Sequence, residues 1–138
     1  MIFAAGVLSS LAPPSKALAS INKSSVRVGP GPVTEVVNRQ GYRLEFRVTP
    51  NRAAVPNGFT LRIAKNGAPV RHADVTTTFT MLDMEMGQQG YRLQEVSPGV
   101  YMRSAPALVM VGHWALTFDI TPPGGHPLAV QLVDRANG

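Results

Sequence analysis

The residues best equipped for chemistry in this chain are methionines. The run Met81-Leu82-Asp83-Met84-Glu85-Met86-Gly87 places three of the chain's six methionines within six positions. Met110 and His113 stand in a second short segment, Met110-Val111-Gly112-His113-Trp114. Thioether sulfur and imidazole nitrogen are ligands that copper(I) prefers. In an extended chain Met84 and Met86 project to the same side, as two ligands of one ion must. Met110 and His113 would complete the set if the two segments meet at one end of the fold. Uncharged thioethers do not compete with protons, so the methionine part of such a site would persist in acid. The metal candidates are therefore Met84, Met86, Met110 and His113, and the metal they suit is Cu(I).

Each candidate has a competing structural reading. Methionine fills irregular gaps in cores. Met81 continues the inward parity of Val75, Thr77 and Phe79 and is expected in the core, and Met102 on an ordinary strand is expected to pack. Met84 and Met86 fit metal binding and packing equally. Asp83 and Glu85 alternate with the methionines and are expected only to keep the loop wet. His72 beside the Asn66-Gly67 turn and His126 after Gly124-Gly125 read as solvated turn residues. His113 precedes Trp114, which is expected to be buried, and could be a core histidine, while Met110 nearby keeps a ligand role open.

Other chemistry is poorly provided for. There is no cysteine, which removes disulfides, thiolate catalysis and thiolate metal sites. No HExxH, P-loop or GxSxG element occurs, nor a Ser–His–Asp order. The chain is not expected to be an enzyme. Its net charge of +5 owes much to Lys16, Lys23 and Arg27, because the first 33 residues hold no acid. Without those three, 10 basic residues face 8 acidic ones. No basic cluster is interleaved with aromatics, so nucleic acid is not an expected partner.

The elements that must position the candidates are strands. Tyr42, Leu44, Phe46 and Val48 alternate with Arg43, Glu45 and Arg47, the period of a half-buried strand. The same period runs through Phe59–Ile63, Ala73–Phe79, Trp114–Ile120 and Leu128–Leu132, with shorter strands expected at Tyr91–Val96 and Val100–Arg103. Gly and Pro, 25 residues together, punctuate the chain at sandwich spacing. The pattern predicts an all-β, antiparallel β-sandwich of the immunoglobulin-like kind, with about seven strands and an apolar N-terminal segment.

The apolar head Met1–Ala12 is too short to span a bilayer alone. It reads either as a signal peptide, with Ala17-Leu18-Ala19 as a cleavage pattern, or as the end of a transmembrane helix. Both readings export the domain on its C-terminal side. Residues 1–32 are assigned to this leader and a Gly-Pro linker, and residues 33–138 to the sandwich domain.

Gly67-Ala68-Pro69-Val70, Met84-Glu85-Met86-Gly87, Pro98-Gly99-Val100-Tyr101 and Met110-Val111-Gly112-His113-Trp114-Ala115-Leu116 together resemble the YtkA-like domain family, from about Asn57 to Leu132. Members are small immunoglobulin-like sandwiches, alone or fused to CopD-like copper-resistance membrane proteins. The head Ala4–Pro14 is similar to the tail of such a protein's last membrane helix. The resemblance implies copper handling in the periplasm or at the outer cell surface, with a CopD-like membrane copper-transport protein as partner and attachment through the N-terminus. The histidine-first copper site of CopC-type proteins has no counterpart here. Two functions are thus expected: a copper(I)-binding accessory domain, or a metal-free structural or interaction domain whose methionines form an adaptable contact surface.

Overall fold

The computed structural model describes residues 25–138, and the regular elements among them are all strands. In chain order they are β1 Val26–Val28, β2 Val33–Arg39, β3 Tyr42–Thr49, β4 Asn57–Lys65 and β5 Ala68–Pro69, then β6 Asp74–Met81, β7 Gln88–Ser97, β8 Val100–Ala105, β9 Gly112–Thr121 and β10 Leu128–Ala136. The alternation in the sequence accounts for most of them. In β3 Leu44, Phe46 and Val48 are buried while Arg43 and Arg47 are exposed. Phe59, Leu61 and Ile63 of β4 are likewise buried, and so are Trp114, Leu116, Phe118 and Ile120 of β9. Two tight connections use residues at positive φ: Gln40-Gly41 between β2 and β3, and Asn66-Gly67 between β4 and β5. That backbone matches the right-handed twist of the strands it joins.

Hydrogen bonding runs along one path, β1-β10-β9-β6-β7-β8-β4-β3-β2, with β5 on β4. The path folds over into two layers at β7. Residues up to Leu93 of this strand pair with β6, while Gln94–Ser97 pair with β8 through a bulge. The layers meet through their aromatic residues. Phe46 of β3 meets Phe118 of β9 with ring centroids 4.8 Å apart. Phe59 of β4 meets Phe79 of β6 at 4.8 Å, edge to face, an arrangement that favours the ring quadrupoles.

The observed fold is the expected all-β sandwich, with ten strands in place of about seven. The additional three are β1, β2 and β5. Strand β1 pairs parallel with β10, Val26 opposite Leu132 and Val28 opposite Asp134. Val26–Val28 thus joins the sheet ahead of Val33, where the sequence pattern places the domain start. The apolar head Met1–Ala12, Ala17–Ala19, Lys16 and Lys23 lie outside the described residues.

Strands β1 and β2 stand at the two ends of the pairing path and are joined only by Gly29–Pro32. This crossing closes the open side of the sandwich, giving it a nearly barrel-like outline. Beneath it, Asn51 Nδ2 donates to Gly31 O at 2.8 Å and to Asp134 Oδ1 at 2.8 Å. Asp134 belongs to β10 and Asn51 to the β3–β4 connection, so one amide ties both layers to the crossing. Gly29 has φ of +73°, and a Cβ there would run into Asp134 Oδ1 and lie 2.9 Å from Arg135 O. Only glycine lets the crossing lie this close.

Candidate functional site

The two methionine-bearing segments meet at one end of the sandwich because β6 and β9 are neighbours. Their register sets Met81 opposite Trp114. The β6–β7 loop therefore leaves the sheet beside the residues that lead into β9. The backbone pairing continues one step past the strand, where Leu82 N–H donates to His113 O at 2.9 Å.

Asp83 then fixes the junction. Its Oδ2 accepts from the His113 backbone N–H at 2.8 Å. Both carboxylate oxygens lie 3.2 Å from His113 Nδ1. The His113 N–H bond, helped by the imidazole and by Arg135, holds the Asp83 carboxyl below the usual carboxylate range against a smaller opposing effect of burial. Sequence parity makes Asp83 a solvent-facing spacer. It is half exposed, as expected, but it also joins the two loops, and no pattern near position 83 signals a partner 30 residues away.

The close fit at this junction requires Gly112. Its φ is +147°, and a Cβ there would collide with Met81 Cε and lie 2.6 Å from Asp83 Oδ2. Gly112→Ala is expected to lower stability by about 2 kcal/mol, as overpacking at a tight contact does. It should also speed amide hydrogen exchange at Leu82 and His113, whose bonds span the junction. Unchanged exchange at both amides would contradict this reading.

The methionines divide into two groups. Met81 is buried in the core, as its parity predicts. Met84, Met86 and Met110 are exposed, at 52%, 43% and 36% of their surface. The side chain of His113 is 42% exposed, so it is not a core histidine. Trp114 is the buried member of that pair, and its Nε1–H donates to Met110 O at 3.0 Å. This bond fixes the backbone of Met110 next to the junction. Met102 is also exposed, at 40%, but it stands on β8 in the other layer, away from the two loops.

The structure thus brings the loop of Met84 and Met86 against the segment of Met110 and His113, through Asp83. His72 and His126 do not belong to this group. His72 precedes β6, and His126 lies between β9 and β10. Both are at the opposite end of the layer, about 23 Å away over the length of β6. His72 sits in a turn at φ of +60°. Its N–H donates to Glu95 Oε1 at 3.1 Å, a structural contact. Among the described residues, no three His, Cys, Asp or Glu side chains gather into a metal-binding group. A metal held at the methionine end would draw on thioether sulfur, the donor suited to a soft cation.

The YtkA-like family model matches residues 37–119, more than half of the chain. The chain belongs to the YtkA-like family. The matched stretch runs from Val37 within β2 to Asp119 within β9 and contains Met84, Met86, Met110 and His113. It leaves out β1 and β10, so the crossing that closes this YtkA-like domain lies beyond the family match. No curated protein matches the chain.

Proposed function

We propose that this YtkA-like domain is an extracytoplasmic accessory domain that binds copper(I) as its cargo through Met84, Met86, Met110 and His113. One observation carries the reading. Three methionines that would ordinarily be buried are exposed on two loops, and those loops are held together by the Asp83–His113 contact. Thioethers left in solvent on two joined loops, one of which also carries an imidazole, suit a soft monovalent cation. The domain holds the ion and passes it to a CopD-like membrane copper transporter, from the periplasm or the outer cell surface. The apolar head and its basic flank attach the chain to that membrane. Binding, with no catalytic step, is the whole of its chemistry.

A second reading rests on the neighbouring residues. Val109 and Val111, 38% and 51% exposed, lie in the same segment as Met110. Together with the methionines they form an apolar surface that a protein partner could cover without metal.

Titration of copper(I) against a chromophoric chelator separates the two readings. The full chain is expected to take up one equivalent. A Met84→Leu/Met86→Leu variant, which preserves apolar bulk, is expected to lose about a hundredfold in affinity, about 2.8 kcal/mol for the two ligands removed. Uptake equal in both proteins, or no uptake in either, would reject copper at this loop and leave the apolar contact surface.

A further inference from the structure

Asp83 has a role at the methionine end that neither the family match nor the ligand set assigns. Its carboxylate faces the imidazole edge that carries Nδ1, with both oxygens 3.2 Å from that nitrogen. One of the same oxygens is anchored at 2.8 Å by the backbone N–H of His113. An ionised carboxylate can only accept hydrogen bonds. The anchored carboxylate therefore favours the imidazole tautomer with hydrogen on Nδ1. The lone pair is then left on Nε2, and the side chain is exposed enough for that nitrogen to be reached.

We infer that Asp83 is a positioning residue, which fixes His113 as the Nδ1–H tautomer and presents Nε2 as the ligating nitrogen. The inference rests on the copper(I) reading for its purpose, but the tautomer is a property of the metal-free protein. Hydrogen bonding of the distal imidazole nitrogen to a carboxylate fixes ring orientation and raises ligand basicity in metal sites generally. Here it would also supply charge. Three thioethers and a neutral imidazole leave the charge of copper(I) uncompensated, and Asp83 provides one negative charge next to the ring.

Asp83→Asn is the informative variant because it keeps the shape of the side chain. The amide oxygen can still accept from His113 N–H. The amide nitrogen, however, is a donor, and it faces Nδ1 where the carboxylate accepted. One of the two acceptors 3.2 Å from Nδ1 thus becomes a donor, and the variant should shift the ring hydrogen toward Nε2.

The test is nitrogen NMR of the His113 ring in isotope-labelled, metal-free full chain, near pH 8.5, where imidazoles are ordinarily neutral. The wild type is expected to show protonated Nδ1 and unprotonated Nε2, and Asp83→Asn a larger share of hydrogen on Nε2. Asp83→Ala should show a mixture, with thermal unfolding of each variant recorded to confirm folding. Copper(I) affinity should fall by about 10- to 100-fold in Asp83→Asn, the range for loss of such a partner. A wild-type ring protonated on Nε2, or a tautomer unchanged by Asp83→Asn, would overturn the inference whatever copper does. Absence of copper uptake with the expected tautomers would overturn the function and leave the positioning intact.

Discussion

Asp134→Asn is expected to stabilise the folded domain at neutral pH by about 3 kcal/mol. Asp134 is fully buried under the Gly29–Pro32 crossing. Burial pushes its carboxyl up to about 6, against the lowering influence of hydrogen bonds from Asn51 and from the Arg135 backbone. Two buried oxygens there, Asn51 Oδ1 and Asp134 Oδ2, lack a partner among the described residues. Both act as acceptors while Asp134 is ionised. A proton on the carboxyl removes the buried charge, and an Asn side chain is neutral at every pH.

Linkage sets the sign. The folded protein holds this proton more tightly than the unfolded chain, whose aspartates titrate near pH 3.9. The stabilisation is therefore fully present below about pH 4 and is lost as pH rises through about 6. Asp83 and Glu95, whose carboxyls are lowered by hydrogen bonds from His113, Gly99 and His72, act in the opposite direction. Their contributions are lost in acid. The difference between wild type and Asp134→Asn isolates the buried group. Denaturant unfolding of both proteins from about pH 4 to 7.5 should give stabilities that separate as pH rises to about 6 and keep a constant difference above it. Parallel curves would mean that Asp134 is not the buried acid described here.

Phe79→Ala is expected to have the largest destabilising effect, about 4 kcal/mol, in the range for deleting a buried ring. Phe79 bridges the layers, meeting Phe59 at 4.8 Å and Tyr91 at 5.8 Å, both edge to face. It also lies two residues before Met81, on the strand that leads into the methionine loop. Phe79→Leu keeps much of the volume and should cost no more than about 1.5 kcal/mol. Urea midpoints of the two variants measure both values. Equal losses would mean that the ring contacts, and not the filled volume, carry the stability at this position.

Most of the sandwich was legible from two-residue alternation, because each long strand buries one face. Leu44, Phe46 and Val48 are buried as their parity demands, and so are Leu128, Val130 and Leu132. Strands without a clear buried face escaped notice. β1 has three residues and pairs parallel with a strand more than a hundred positions away. β2 is an edge strand whose Val36 remains exposed, so its apolar residues do not alternate cleanly. β5 has two residues, one of them proline.

The site was legible in a different sense. The types of Met84, Met86, Met110 and His113 named the candidates, and the core assignment of Met81 came from parity. What joins them did not appear in the sequence. The contact of Asp83 with His113 depends on β6 lying beside β9 in one register, and strand adjacency is not encoded near either residue. The pair Asn51–Asp134 was hidden for the same reason, since a polar residue on a strand signals solvent until a crossing segment covers it.

The central claim is that copper(I) is held by the methionines of the two joined loops, Met84, Met86 and Met110, and not by Met81 in the core or Met102 on β8. Each methionine carries one methyl group, and the chain has six, so methionine-methyl NMR during copper(I) addition reads every sulfur separately. The account predicts that the Met84, Met86 and Met110 methyl signals move together and saturate at one equivalent, while those of Met81 and Met102 stay in place. Signals that all remain unmoved, or that move for Met102 alone, would contradict it.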